Sequence, residues 1–214
     1  MGNNRILIFT GGRLGEWALE HIQEGDTLYG ADSGALFLVK HGFRPDLSLG
    51  DFDSVTGEQL AAIRQASTET YDCDPVDKDY TDTELAFRQA LGQQPDEIVL
   101  LGALGTRFDH SLANVHLLRS AIEQGIAALI MDEHNTIRLI DGMVELERSP
   151  HRSYVSLLPL STQVTGITLV GFQYPLTDAS LEIGQSLGIS NVLLHDRGTI
   201  SIRDGLLLVI ESRD

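Results

Sequence analysis

The sequence predicts an α/β domain joined to an all-β domain: a Rossmann-like, mainly parallel sheet with helices on both faces, then a small β-sandwich. Three observations carry this expectation. Apolar runs ending in Gly or Asp alternate with helically spaced segments up to about residue 138. Beyond that point the segments are short, β-rich and punctuated by Gly, Pro, Asp and Ser. The chain of 214 residues is long enough for one large or two small cores. Repeated strand–helix alternation implies parallel strands, and short strands with frequent turn signals imply a sandwich.

The elements follow in order. RILIFTGG (5–12) reads as a strand ending in glycines, and GEWALEHIQEG (15–25) as a helix with Trp17 and Ile22 on one side. TLYGADSG (27–34) is a strand, followed by a short helix carrying Leu36 and Val39 and stopped at Gly42. LSLGD (47–51) is a strand end, EQLAAIRQA (58–66) a helix and TETYDCD (68–74) a strand. TDTELAFRQALGQ (81–93) opens with a capping signal, Thr81 three residues before Glu84. EIVLLGALG (97–105) has a buried-strand pattern, SLANVHLLRSAIEQG (111–125) reads as a helix and IAALIMDE (126–133) as a strand. MVELER, SYVSLLPL, QVTGITLVG, ASLEIG and GTISIRDGLLLVIES then supply the β-unit. The domain boundary is placed near Asp141-Gly142, giving domains 1–140 and 141–214.

Composition narrows the function. A net charge of −16 argues against nucleic-acid binding, because phosphates attract Lys and Arg. Cys73 is the sole cysteine, which excludes an internal disulfide and a cysteine-based zinc site. No run approaches the ~18 apolar residues of a membrane span. The N-terminus lacks a secretory pattern, so a cytoplasmic location is expected.

Carboxylates gather after the strands: Asp32, Asp51 and Asp53, the 77–82 cluster and Asp109. In an α/β sheet these positions converge on the edge where ligands bind. Carboxylates about 4 Å apart repel by about 4 kcal/mol at an effective dielectric near 20, so a shared site needs protons or a cation. Mg²⁺ fits, since it is held by one or two carboxylates together with substrate phosphates. Aspartates after strands also serve as turn formers and N-caps, the plainer role for any one of them. Gly11 and Gly12, in GGRLG, follow the first strand and would let backbone amides approach a phosphate, although a plain strand–helix turn is the better reading of that segment taken singly. Arg107 suits phosphate oxygens and Asp109 a ribose hydroxyl, an amine or a metal-bound water; a surface ion pair between them is the alternative. The chain lacks both a Walker lysine motif and an HExxH pattern.

GADSGA (30–35), PDLSLGDFDSV (45–55), DKDYTDTELAF (77–87), GALGTRFDHSLANVHLL (102–118), VSLLPL (155–160) and YPLTDASLEIGQSLGISN (174–191) occur in order. This ordered set resembles the thiamine pyrophosphokinase family. The resemblance implies an α/β ATP-binding catalytic domain, a thiamine-binding and dimerisation β-sandwich, and a homodimer. It implies transfer of a pyrophosphoryl group from Mg·ATP to the hydroxyl of thiamine, giving thiamine diphosphate and AMP. Carried across, Asp51, Asp53 and Asp82 hold magnesium and act in catalysis, while Asp32, Thr81, Arg107 and Asp109 line the ATP site. Tyr174, Ser190 and Asn191, with Lys78, are assigned to the thiamine pocket. An aromatic face at Tyr174 suits a cationic thiazolium; a sandwich-edge aromatic is the plainer role. Ser33 and Thr106 depart from the family pattern, each standing where glycine is common.

Two rival functions fit fewer features. DFDSV matches the D-x-D-x-[TV] pattern of haloacid-dehalogenase phosphatases, with Asp51 as nucleophile, but that pattern normally follows the first strand. A non-catalytic nucleotide-sensing module would bind ATP without consuming it.

Overall fold

Ile6, Leu7, Ile8 and Phe9 are all at most 1% exposed. A strand buried on both faces must be central and covered by helices on each side. This is β1 (Arg5–Phe9) in the computed structural model, which describes residues 4–73 and 80–214. The chain divides into two compact units, Met1–Glu133 and His134–Asp214.

In the first unit, β1 is followed by α1 (Glu16–Leu19), β2 (Thr27–Ala31), α2 (Ser33–Lys40), β3 (Leu47–Gly50) and α3 (Gly57–Ala66). Then come β4 (Glu69–Asp72), α4 (Asp82–Gly92), β5 (Glu97–Leu101), α5 (Phe108–Ile122) and β6 (Ala127–Met131). The strands are parallel in the order β4-β3-β2-β1-β5-β6. The chain thus winds outward from β1 to β4, and α4 carries it back to β5 on the other side of β1. That reversal is a topological switch point, where α/β sheets bind ligands.

Alternation along β1 explains the two helical layers. Leu7 and Phe9 face a core with Ala18 of α1 and Leu38 of α2, and the Phe9 and Phe37 rings stack at 6.1 Å. Ile6 and Ile8 point to the opposite face. There α4 packs on β1, β2 and β3 and against α5, with Ala86, Phe87 and Ala90 fully buried. Thr81 caps α4, its hydroxyl accepting from Glu84 N at 3.2 Å, as the sequence predicts. The first expected helix is shorter than its sequence spacing suggests, ending at Leu19 rather than near Gly25. The last begins at Phe108 rather than 111, which puts Asp109 and His110 in its first turn.

The second unit contains β7 (Asn135–Ile140), β8 (Met143–Glu147), β9 (Tyr154–Pro159), β10 (Gln163–Val170), β11 (Ala179–Glu182), β12 (Arg197–Ser201) and β13 (Leu207–Ser212). β13 pairs antiparallel with β7 and β9. A separate antiparallel sheet has the order β11-β10-β12-β8. Ile140, Val155, Leu157, Leu207 and Val209 from the first layer share one core with Leu146, Val164, Ile167, Leu169, Leu181 and Ile200 from the second. Alternating inward residues from two sheets make a β-sandwich. The division between units falls before β7, earlier than the 140/141 boundary read from sequence. The physical reason is pairing: Asn135–Ile140 lies in full register against Leu207–Ser212.

Candidate active site

A cavity of about 690 Å³ opens at the switch point of the first unit. Thr10, Gly11 and Gly12 reach it from the end of β1, Asp32 from β2, and Gly102, Ala103, Gly105, Thr106 and Arg107 from the turn after β5. Tyr80, Thr81, Asp82 and Thr83 at the start of α4, with His110 and Asn114 of α5, complete the wall. The helix N-termini of α4 and α5 therefore face the same space, and unpaired amides there favour anions.

Gly12 is required by close approach. A Cβ on it would lie 2.0 Å from the Gly102 carbonyl oxygen. The β1 and β5 turns can thus meet only through a residue without a side chain. Ser111 Oγ accepts from Gly105 N and donates to the Arg107 carbonyl, both at 3.1 Å, folding the second turn onto α5. Asn114, buried, donates from Nδ2 to the Ala103 carbonyl at 2.7 Å.

Beside this cavity, ligand oxygens of Asp32, Asp51 and Asp53 lie within 4.8 Å of one another. The backbone is strained to bring them there. Asp32 has φ 50 and Phe52 φ 54, left-handed values that non-glycine residues seldom adopt. Phe52 is held by burial in the α2–α3 cluster with Ala35 and Ile63, so its flanking aspartates project from an anchored loop. Gly50, φ 144, lets the end of β3 close on Asp32, whose amide N would be 3.2 Å from any Cβ there.

Asp32 stands at the N-cap of α2 yet makes no capping bond. Its Oδ2 accepts from Ser54 Oγ at 2.7 Å, and its Oδ1 is buried with no hydrogen-bond partner. A buried carboxylate oxygen left unsatisfied costs on the order of 1–3 kcal/mol or more. Three clustered carboxylates with one such atom fit a bound cation. Asp51 Oδ1 also accepts from Asp53 N at 3.3 Å, a turn-forming contact. Among the described residues this cluster consists of Asp32, Asp51 and Asp53, whereas Asp82 lies on the cavity wall.

Arg107 donates to both Asp109 oxygens, at 3.3 and 2.6 Å. Both side chains are exposed. The hydrogen bond from Arg107 holds the Asp109 carboxyl below its ordinary value, and the same bond raises the guanidinium. The ion pair considered from sequence is therefore present, and Arg107 lines the cavity as well.

In the second unit, Tyr174 is exposed and Asn191 buried. Asn191 Nδ2 donates to the Tyr174 carbonyl at 2.8 Å, and its Oδ1 accepts from the amides of Tyr174 at 3.0 Å and Val192 at 2.9 Å. Its side chain holds the Tyr174 turn instead of projecting from the surface. Ser190, φ 59, donates its amide to Ser156 Oγ at 3.0 Å. Lys78 lies outside the described residues. Sequence reasoning did not single out Thr10, Ser54, Tyr80, His110 or Asn114; Ser54 lay within the quoted DFDS motif, and the others gain meaning only from convergence.

Fold and site together define a class: a two-domain α/β-plus-sandwich enzyme with an acidic cluster at its switch point. Family models described as "Thiamin pyrophosphokinase, catalytic domain" and "Thiamin pyrophosphokinase, vitamin B1 binding domain" match residues 19–130 and 143–207. The chain is 37% identical over 186 residues to thiamine pyrophosphokinase of Bacillus subtilis, covering 86% of each. The crystal structure of thiamine pyrophosphokinase from Bacillus subtilis superposes with a TM-score of 0.91 at 34% identity, over 99% of this chain and 100% of that one. That of Geobacillus thermodenitrificans gives 0.88 at 34% identity, over 98% of each. The chain belongs to the thiamine pyrophosphokinase family and is an enzyme of the thiamine diphosphokinase class.

Proposed function

We propose that the first unit binds Mg·ATP in the switch-point cavity and passes its terminal pyrophosphoryl group to the hydroxyl of thiamine. The observation that carries this reading is Asp32, which belongs to the Asp32–Asp51–Asp53 group, lines the cavity and has a buried Oδ1 with no hydrogen-bond partner. Asp32, Asp51 and Asp53 would hold Mg²⁺, which when bound neutralises phosphate charge and assists the leaving group.

The remaining work is positioning, as expected for phosphoryl-type transfer. The amides of Gly11 and Gly12, with Thr81 and Arg107, would hold the ATP phosphates, and Asp109 would hold Arg107 in place. The thiamine oxygen forms a bond to the β-phosphorus as the bond from that phosphorus to the α–β bridging oxygen breaks. AMP departs with those electrons, and the hydroxyl proton passes to a carboxylate. Asp82 suits that last role, since it lines the cavity outside the three-carboxylate group.

Thiamine recognition is assigned to the second unit, with Tyr174 offering an aromatic face and Ser190 a polar edge. Asn191 would act by fixing the Tyr174 turn. Exposed Tyr174, Ile183, Leu187 and Ile189 supply apolar surface for association of two copies. No helix among the described residues is long and apolar enough to cross a membrane.

Incubation with Mg·ATP and thiamine should release AMP and thiamine diphosphate in equal amounts. Asp51→Asn should abolish both while leaving the circular dichroism spectrum unchanged. Near-normal turnover of that variant, or a trapped aspartyl phosphate, would overturn the reading.

A further inference from the structure

Away from the catalytic cavity, the first unit carries a second cavity of about 390 Å³ on the α4 face of its sheet. Tyr29, Leu47 and Glu69 stand in register across β2, β3 and β4, and Leu49 stands beside Tyr71 one step along the next row. In a parallel sheet such neighbours share a face. Gln89 of α4 forms part of the opposite wall.

The floor is apolar, with Leu49 fully buried. Tyr29 is only 6% exposed, and its hydroxyl has no hydrogen-bond partner among the described residues. The ring nonetheless lines the cavity. The hydroxyl is therefore free to bond a ligand or water in the cavity. Burial, then Asp46 and then Glu69, push this hydroxyl above the ordinary tyrosine value, so it stays protonated and both carboxylates act on it.

Charge selects the ligand. Asp46 and Glu69 line the cavity, and among the described residues no Lys, Arg or His does. Asp46 is engaged, accepting from the Leu28 amide at 2.8 Å. Glu69 makes no ion pair among the described residues, and Tyr71 presents a ring that is 56% exposed. A carboxylate beside an aromatic face over leucines suits a positive charge carried on an apolar body. A bare divalent ion would need several oxygen ligands that this floor does not offer.

We propose that this groove is a binding site for a small organic cation, an amine or quaternary ammonium, separate from the catalytic cavity. Glu69 supplies the countercharge, Tyr71 the ring face and Tyr29 a hydroxyl at the inner end.

The test is fluorine NMR on the full chain carrying fluorotyrosine, titrated with tetraethylammonium chloride against sodium chloride at equal ionic strength. Tyr29→Phe and Tyr71→Phe assign the two resonances. Both should shift saturably with tetraethylammonium alone, and equally in Asp51→Asn, which leaves this groove intact. Glu69→Gln, at an exposed position, should raise the Kd about fivefold or more. Tyr71→Ala should weaken binding independently of that variant. Shifts that do not saturate, that sodium chloride reproduces, that disappear in Asp51→Asn, or that survive both Glu69→Gln and Tyr71→Ala unchanged would overturn the proposal.

Discussion

Ser54 Oγ donates to Asp32 Oδ2 at 2.7 Å, tying the loop after β3 to the turn after β2. The bond occupies one oxygen of Asp32, a member of the carboxylate cluster, while its other oxygen is buried and unpartnered. Ser54 therefore orients a carboxylate that its own hydroxyl does not replace.

Ser54→Ala should lower kcat/KM for thiamine diphosphate formation about tenfold, the scale of one hydrogen bond to a charged group. The loss should be partly recovered at raised Mg²⁺ concentration, because a misoriented ligand weakens cation binding first. Titration of activity against Mg²⁺ reads this directly; an unchanged Mg²⁺ dependence would count against the orienting role.

Asn191→Ala removes a buried amide that bonds both the carbonyl and the amide of Tyr174. Leaving those backbone groups unpaired should destabilise the second unit by roughly 2–4 kcal/mol. Chemical denaturation measures the loss, and Asn191→Asp should cost less if the acceptor contacts dominate. A shift within about 0.5 kcal/mol, the range of ordinary surface substitutions, would show that Asn191 does not hold the turn.

The Arg107–Asp109 pair carries a pH signature. Because the bond from Arg107 lowers the folded-state value of Asp109, its contribution is present above the ordinary carboxylate range and is lost as pH falls through the lowered value. Carboxyl NMR should show Asp109 titrating below the ordinary aspartate value and returning to it in Arg107→Ala. Since both side chains are exposed, added salt should shrink the difference.

Much of this was legible in the chain. The central strand β1 announces itself because an unbroken RILIF run can be buried only between two helical layers. The capping signal at Thr81 and Glu84 is local, and the structure satisfies it with one short contact. The carboxylates after β2 and β3 were visible as candidates because ligand sites follow strand ends in such sheets. Strand β7 was not separable from its surroundings, since NTIRLI acquires its place only by pairing with β13, far along the chain. Asn191 looked like a ligand contact for a related reason: a polar residue in a GISN turn shows nothing of the backbone it will clasp.

By itself the sequence determined the alternation of elements, the change to β-structure and the inventory of acidic groups, because periodicity and residue chemistry are local properties. Only the tertiary structure decided which acids meet. Asp32 joins Asp51 and Asp53 because Gly50 and two left-handed residues fold separate strand ends against each other. It likewise decided that Glu69 and Tyr71 share a face with Tyr29, since strand register is set by long-range pairing that no short stretch of sequence encodes.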